Sequence, residues 1–460
     1  RSITGYNFSP DFAWIKQRSG TDFHSLIDVI RGGTKVVFSN TTIAEETQTG
    51  AITAFNSGGL SLGGWQAVNK NNESFVGWAW DAGTSNTSIS PGDLNSSAYD
   101  QSQQWSNYFS ASGGSGFTNN GNGAFSGTRD FSNYTYITGA STSTNYTMTF
   151  TPPSAISFTS SLRVQAEPVH AKVSIDGGNT YVNGGSSGLV TFNGPGSFTS
   201  ITVADVRNQY GGEFAWVEVD GKLLVNSNAT PPNFPTIAST VRANPSAGFS
   251  IVSYTGSGTS NDSVGHGLNA APELIITKNR DGAYSWRVLT TAIDGSLDRL
   301  FLDATNAKAD QSGVDVPTSS VFSVGSNLDH NKSGDDIIAY CFAPVEGYSA
   351  FGSYTGNGQH NNDLAPFIYT GFRPAFIMFK RTDSAGAWEM YDSTRSPYNP
   401  YKLALVANTS GAEYNVGAYP ADMLSNGFKI RHSGGNVNAN AGTYIYAAFA
   451  EHPFKTARAR

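Results

Sequence analysis

The chain has 460 residues, of which 38% are hydrophobic and only 14% charged, with a formal net charge of −7. That length exceeds one hydrophobic core, and the acidic balance excludes the basic face a nucleic-acid partner needs. No apolar run of about 18 residues is present to span a membrane as a helix, so no membrane insertion is expected. Ser, Thr, Asn and Gly fill the gaps between apolar runs, a mixture that suits strands and tight turns and disfavours long helices.

In chain order, the first strand expected is Pro10-Asp-Phe-Ala-Trp-Ile-Lys16. His24, the run Lys35-Val-Val-Phe38, a turn at Gly59 and the β-aromatic strand Phe75-Val-Gly-Trp78-Ala-Trp80 follow. The same landmarks return twice. Pro272-Glu-Leu-Ile-Ile-Thr-Lys278 leads to Trp286, Arg299-Leu-Phe-Leu302, Gly325 and Asp336-Ile-Ile-Ala-Tyr-Cys-Phe342. Pro374-Ala-Phe-Ile-Met-Phe-Lys380 leads to Trp388, Lys402-Leu-Ala-Leu405, Gly427 and Tyr444-Ile-Tyr-Ala-Ala-Phe449. From the proline to the last aromatic is 70 residues in the first two copies and 75 in the third. Repetition at such a period marks one supersecondary unit used three times.

Copies two and three also share an opening strand, Gly248-Phe-Ser-Ile-Val-Ser-Tyr254-Thr-Gly and Phe351-Gly-Ser-Tyr354-Thr-Gly, which copy one has lost, so the first repeat reads as truncated at its N-terminus. The closing strands alternate large and small side chains, as expected of a strand packed on one face. Lys16, Lys278 and Lys380 read as solubilising strand ends. Ala421-Asp-Met-Leu424 reads as one short helical turn. Arg1 is not a natural initiation residue, and no signal peptide is recognisable at the start.

Residues 84–245 do not fit the repeat. A Ser/Thr/Asn linker at Gly83–Pro91 opens a Gly/Asn-rich stretch and then several strand-like pieces. Among these, Phe214-Ala-Trp-Val-Glu-Val-Asp220-Gly221-Lys-Leu-Leu-Val225 reads as a hairpin about an Asp-Gly turn. The proline-rich Thr230–Pro235 reads as a stiff connector. The expected fold class is therefore all-β: tandem, jelly-roll-like β-sandwiches, with a repeat at 1–83, a distinct sandwich at 92–230, and repeats at 246–346 and 347–455.

Residues that could carry chemistry are few. The single cysteine, Cys341, lies in an apolar run and reads as a buried small hydrophobe. A disulfide-free chain points to folding in a reducing cytoplasm. The histidines occur singly, with no His-x-x-x-His or Cys-x-x-Cys pair, so no metal, cofactor or catalytic residue is assigned. Asp329, Asp335 and Asp336 form the densest acidic group and read as solvated turn carboxylates. Asp262 and Asp363 share one loop position and read as Asx-turn residues, with an oxygen-rich Ca²⁺ loop as the alternative. Aromatic faces beside amides and hydroxyls suit sugars, which makes Trp388, Tyr398, Tyr401, Tyr414 and Tyr419 the candidate binding residues; covering a core edge or an interface is the competing role.

The repeat resembles an uncharacterised domain found in tandem in structural and tail-fibre proteins of marine phages, those of cyanobacteria in particular. The resemblance rests on Phe8-Ser-Pro10-Asp-Phe-Ala-Trp14-Ile-Lys16-Gln-Arg18-Ser-Gly, the Asp28-Val-Ile-Arg31-Gly turn, Phe75-Val-Gly-Trp78-Ala-Trp80 and Ala448-Phe-Ala-Glu451-His-Pro453-Phe-Lys. In the central segment it rests on Ser97-Ala-Tyr99-Asp-Gln-Ser-Gln-Gln-Trp105 and Val219-Asp-Gly-Lys-Leu-Leu-Val225. It implies a virion protein, folded in the host cytoplasm, of the distal tail-fibre or adhesin type. Such a protein would bind a host cell-surface polysaccharide or protein receptor, contact other virion proteins and assemble as a homotrimer. The alternatives are an architectural capsid-decoration or fibre-shaft protein and, further off, a polysaccharide depolymerase. The family carries no established site residues to transfer.

Overall fold

β-Branched and aromatic side chains fill each repeated run, and in the computed structural model each run is a strand. The structure describes residues 1–91, 99–113, 116–127, 134–138, 146–206, 213–227, 234–360, 364–415 and 420–451. They fall into two compact units, Arg1–Pro91 with Pro235–Arg460, and Gly92–Phe234. The architecture is all-β.

In the larger unit each repeat is a sandwich of a long inner sheet and a small outer one. The first repeat's inner sheet runs Glu46–Thr47, Lys35–Phe38, Ser25–Asp28, Phe12–Gln17, Phe75–Trp80, all antiparallel. The second has the same order in Ala309–Asp310, Asp298–Phe301, Arg287–Thr290, Leu274–Asn279 and Asp336–Phe342, continued by the opening strand Phe249–Thr255 and by Ser239–Asn244. The third runs from Tyr414–Asn415 through Leu403–Val406, Trp388–Asp392, Pro374–Arg381 and Thr443–Ala450 to Ser349–Thr355. Ala421–Leu424, expected to be a helical turn, is a strand of the third outer sheet, paired with Gly427–Ile430. The segment expected to be a linker contains Thr87–Ile89, which pairs with Ser239–Asn244 and extends the second repeat's sheet.

Alternation along the strands divides their side chains between two cores. Ala13 and Ile15 face the first repeat's own sandwich, while Phe12 and Trp14 face a second cluster. Ile275 and Ile377 enter the private cores of repeats two and three; Leu274, Ile276, Phe376 and Met378 join Phe12 and Trp14. The three inner sheets therefore share one aromatic-rich core, with Trp78, Trp80, Tyr340, Phe342 and Ala447 from the closing strands. The closing strand Phe75–Trp80 packs on one face as expected, with Val76, Trp78 and Trp80 buried and Gly77 exposed, whereas Asp336–Phe342 and Thr443–Ala450 are covered on both, which corrects that expectation for repeats two and three.

The smaller unit is a separate β-sandwich. Its larger sheet contains Glu213–Val219, Lys222–Leu224, Ser161–Ala166 and Leu189–Asn193. Opposite lie Phe109–Ala111, Thr147–Phe150, Ile201–Asp205, Ala171–Ser174 and Val182–Asn183. Phe125, Phe150, Phe158, Phe198 and Phe214 fill the core between them. The Asp220-Gly221 hairpin forms as expected, with both residues at positive φ (48° and 84°), the conformation a type I′ turn requires. The Asp220 carboxylate accepts backbone N–H bonds from Thr159, Ser160 and Ser161, which hold its pKa at about 2. Most of the Thr230–Pro235 connector lies outside the described residues.

Candidate functional site

The buried polar chemistry of the larger unit is concentrated where one repeat meets the next. Each repeat makes the same main-chain bond to its neighbour. Glu45 N–H donates to the Arg280 carbonyl at 2.8 Å, Lys308 N–H to Thr382 at 2.8 Å, and Glu413 N–H to Arg18 at 2.7 Å. The partners run from repeat one to two, two to three, and three back to one. The contact is heterologous and closes, so three copies of one unit form a ring with threefold pseudosymmetry inside one chain.

A second set of contacts follows the same cycle. Trp286 Nε1 donates to the Phe38 carbonyl at 2.7 Å, and Trp388 Nε1 to the Phe301 carbonyl at 2.8 Å. His24 occupies the equivalent place, against the Val406 backbone, although its Nε2 makes no hydrogen bond of regular geometry. Its Nδ1 instead accepts from Trp14 Nε1 at 2.9 Å, and burial lowers its pKa to about 3, so it is neutral.

The three lysines at the ends of the central strands are buried, which corrects their reading as solubilisers. Each ammonium donates to the carbonyl of its own following residue, Gln17, Asn279 or Arg381, at 2.6 Å. Lys278 also reaches Thr42 in the first repeat, and Lys380 reaches Thr305 in the second, each at 3.2 Å. The strand-end lysines of repeats two and three thus pin the neighbouring repeat, while Lys16 closes its own loop onto the Gly20 carbonyl at 2.9 Å. Burial lowers all three pKa values to about 8.

Two corners of the ring hold buried ion clusters. At the first, Arg31 binds Asp28 Oδ2 at 2.6 Å, Glu45 at 3.1 Å, the Leu26 carbonyl at 3.0 Å and the hydroxyl of Tyr340, in the next repeat, at 2.9 Å. Glu45 in turn receives Arg280 in a two-bond fork at 2.9 Å. Burial opposes the charge on Arg31, yet Asp28, Tyr340 and Glu45 outweigh it and raise its pKa. Burial likewise pushes Glu45 up, but the two arginines prevail and lower it.

The corner between repeats three and one copies this set. Arg395 binds Asp392 at 2.5 Å, Glu413 at 3.2 Å and the Met390 carbonyl at 2.9 Å, and Arg18 forks onto Glu413. Trp78 replaces the tyrosine, donating from Nε1 to Asp392 at 3.2 Å beneath the Arg395 guanidinium. At the third corner Thr290, Ile293 and Ala447 stand where the other two have Asp, Arg and an aromatic. In place of that set, Lys308 pairs there with Asp294 at 2.9 Å and with the buried Asp298 at 2.8 Å, and a small cavity lined in part by Leu274, Thr290, Phe351, Met378 and Ala447 remains beside them.

Of the aromatic residues expected to bind, Trp388 is 1% exposed and Tyr401 is fully buried, so both are corrected to core residues. Trp388 starts a strand that lies between the two cores, and Tyr401 bridges to Ala421 under the outer sheet. Tyr398 is 83% exposed and Tyr414 is 40% exposed. Tyr419 and Asp363 lie outside the described residues. Asp329 is no solvated turn carboxylate: it takes three bonds from Arg287 and one from His330. Asp262 opens the strand Asp262–Gly265 and accepts from the hydroxyls of Thr236 and Ser257, a cross-link in place of the expected Asx turn, and no group of three potential metal ligands occurs among the described residues. Cys341 is buried, and its thiol pKa is raised by burial.

Arg31, Glu45, Arg280, Arg395 and Glu413 were not singled out as site residues by sequence reasoning. A signal was available in the paired spacing Asp28-x-x-Arg31 and Asp392-x-x-Arg395 at matching places of two repeats. A domain family described as a domain of unknown function, DUF7483, matches residues 1–151 and 179–453. No curated protein and no solved structure matches the chain.

Proposed function

The chain belongs to the DUF7483 family, and from that footing we propose that it is a non-enzymatic structural component of a phage virion, a fibre or decoration module built on a rigid ring of three repeats. The observation that carries the structural role is the repeated junction: Glu45 to Arg280, Lys308 to Thr382 and Glu413 to Arg18. The charges at two corners serve these junctions and are almost entirely covered, the side chains of Asp28, Arg31, Glu45, Asp392, Arg395 and Glu413 being at most 11% exposed. Groups spent on joining sheets are not free to activate a substrate. The virion assignment is supported by the resemblance carried by Phe8–Gly20 and Phe75–Trp80. Antibody-gold labelling of purified particles should decorate the tail or capsid surface; unlabelled particles from cells that make the protein would refute the assignment.

A host-binding, adhesin role is the second reading, and the exposed aromatics of the third repeat favour it. Phe367 and Tyr369 point outward from an edge strand, 47% and 67% exposed, in addition to Tyr398. Purified protein that competes with phage for adsorption supports this reading. Protein that labels the particle but leaves adsorption unchanged supports the architectural one.

A further inference from the structure

Three residues hold equivalent places on the three closing strands. Trp78 pairs with Trp14, Tyr340 with Ile276 and Ala447 with Met378, and all three belong to the shared core. In the first two repeats an aromatic ring fills the place and ends on a carboxylate. Trp78 Nε1 donates to Asp392 at 3.2 Å, and the Tyr340 hydroxyl donates to Asp28 at 2.9 Å. The third repeat has only a methyl group there. The sheets around it are held at their spacing by the ring, and two adjoining cavities remain, both lined by Leu274, Met378 and Ala447. The larger takes four lining residues from each repeat, which places it on the pseudo-threefold axis. The smaller extends to Thr290 at the third corner, whose hydroxyl oxygen accepts the Ala292 N–H at 3.1 Å.

We propose that these cavities form a binding site for a small neutral aromatic molecule of one or two rings, which seats its ring beside Ala447 in the place that Trp78 and Tyr340 fill in the other repeats. Apolar cavities lined by Leu, Ile and aromatic side chains stay dry and accept such molecules. Among the described residues no charged side chain lines either cavity, so an ion or a sugar would lose its water with nothing in return. The polar tips of two lining residues are already committed elsewhere, Tyr340 to Asp28 and Trp14 Nε1 to His24 at 2.9 Å. The walls favour a ring over an alkyl chain. Phe449 meets Phe342 edge-on at 5.8 Å and Phe376 at 6.1 Å, a cluster that a further ring can join. The thioether of Met378 can shift to fit the ring's edge. The site is independent of the virion assignment, since it follows from comparing the three repeats with one another.

The chain has 4 methionines, which makes methyl-labelled methionine spectra of the whole protein a direct test. Met378 lines both cavities, whereas Met148 lies in the smaller unit and Met423 in the third repeat's private core. Benzene and indole are the probes, and Met378→Leu identifies the Met378 signal. That signal should move saturably under the ring current of the bound probe, with half-saturation on the order of a millimolar, within reach of a ligand of that size. The signals of Met148 and Met423 should stay fixed. Ala447→Phe supplies the ring from the chain itself, as the other repeats do, and should weaken benzene binding at least about tenfold. Ala447→Leu intrudes less and should weaken it in the same direction, which keeps the test open if the phenylalanine variant does not fold. A Met378 signal that never saturates, or one that moves undiminished in these variants, overturns the site.

Discussion

The indole Nε1 of Trp286 donates a 2.7 Å hydrogen bond to the carbonyl of Phe38, which stands 248 residues earlier in the chain. The same bond joins Trp388 to Phe301, one repeat further round. An indole can bury its large apolar body in the shared core and still satisfy a carbonyl at the end of a neighbour's strand. Replacing either tryptophan by phenylalanine keeps most of the packing and leaves that carbonyl unpaired. The expected loss is about 1–3 kcal/mol for Trp286→Phe or Trp388→Phe, read from the urea unfolding midpoint. Truncation to alanine should cost more, about 3–5 kcal/mol.

Arg31 has no solvent-exposed side-chain area, and neither has Asp28, its partner. Removing one member of such a pair is far worse than removing both, because an uncompensated charge stays buried. Arg31→Met should therefore destabilise the larger unit by about 3–5 kcal/mol. The third corner manages with Thr290 and Ile293 at the equivalent places. Asp28→Thr combined with Arg31→Ile should accordingly lose less than Arg31→Met alone, measured by denaturant unfolding of the three variants.

Alkaline pH should stabilise the fold over a defined window. Lys16, Lys278 and Lys380 have pKa values of about 8 when folded, below the value of 10.5 for a free lysine. Between these two values the unfolded chain holds more protons than the folded one, so stability rises with pH. Above about pH 10 the trend reverses, because tyrosines ionise in the unfolded chain while burial keeps Tyr254, Tyr340 and Tyr391 protonated in the fold. Thermal midpoints at a series of pH values test this, and Lys278→Met should flatten the rise.

Acid should act at the ion clusters. Glu45 and Glu413 have folded pKa values below the ordinary 4.5, because the arginine pairs outweigh burial. Their contribution is complete above the unfolded pKa and is lost as pH falls through the depressed folded values. Unfolding followed from pH 6 downward should show stability falling below about pH 4.5, with a shallower fall in Glu45→Gln.

Closure of the ring also bears on assembly. The resemblance to fibre proteins implies a homotrimer, yet three repeats of one chain already occupy the three places and bury their apolar faces together. A heterologous contact that closes leaves no matching surface over for a fourth member. Light scattering coupled to size exclusion should give the mass of one chain, 48.8 kDa. A mass of three chains would show that assembly uses surfaces outside the ring.

The all-β class, the three matched runs and the Asp220-Gly221 hairpin were legible in the sequence because each depends on local pattern: period-two alternation, β-branched and aromatic content, and a turn that needs positive φ. Alternation shows that a strand has two faces; it does not show what covers each. Phe12 and Ala13 are neighbours in sequence, yet one lies in a core shared by three repeats and the other in a private one. Only tertiary structure decided that. It also decided that Trp388 and Tyr401 are interior and that Lys16, Lys278 and Lys380 are buried fasteners, because the carbonyls that satisfy polar atoms lie on loops or in other repeats. The ring itself arises from pairings such as Glu45 with Arg280, 235 residues apart, which no local signal encodes.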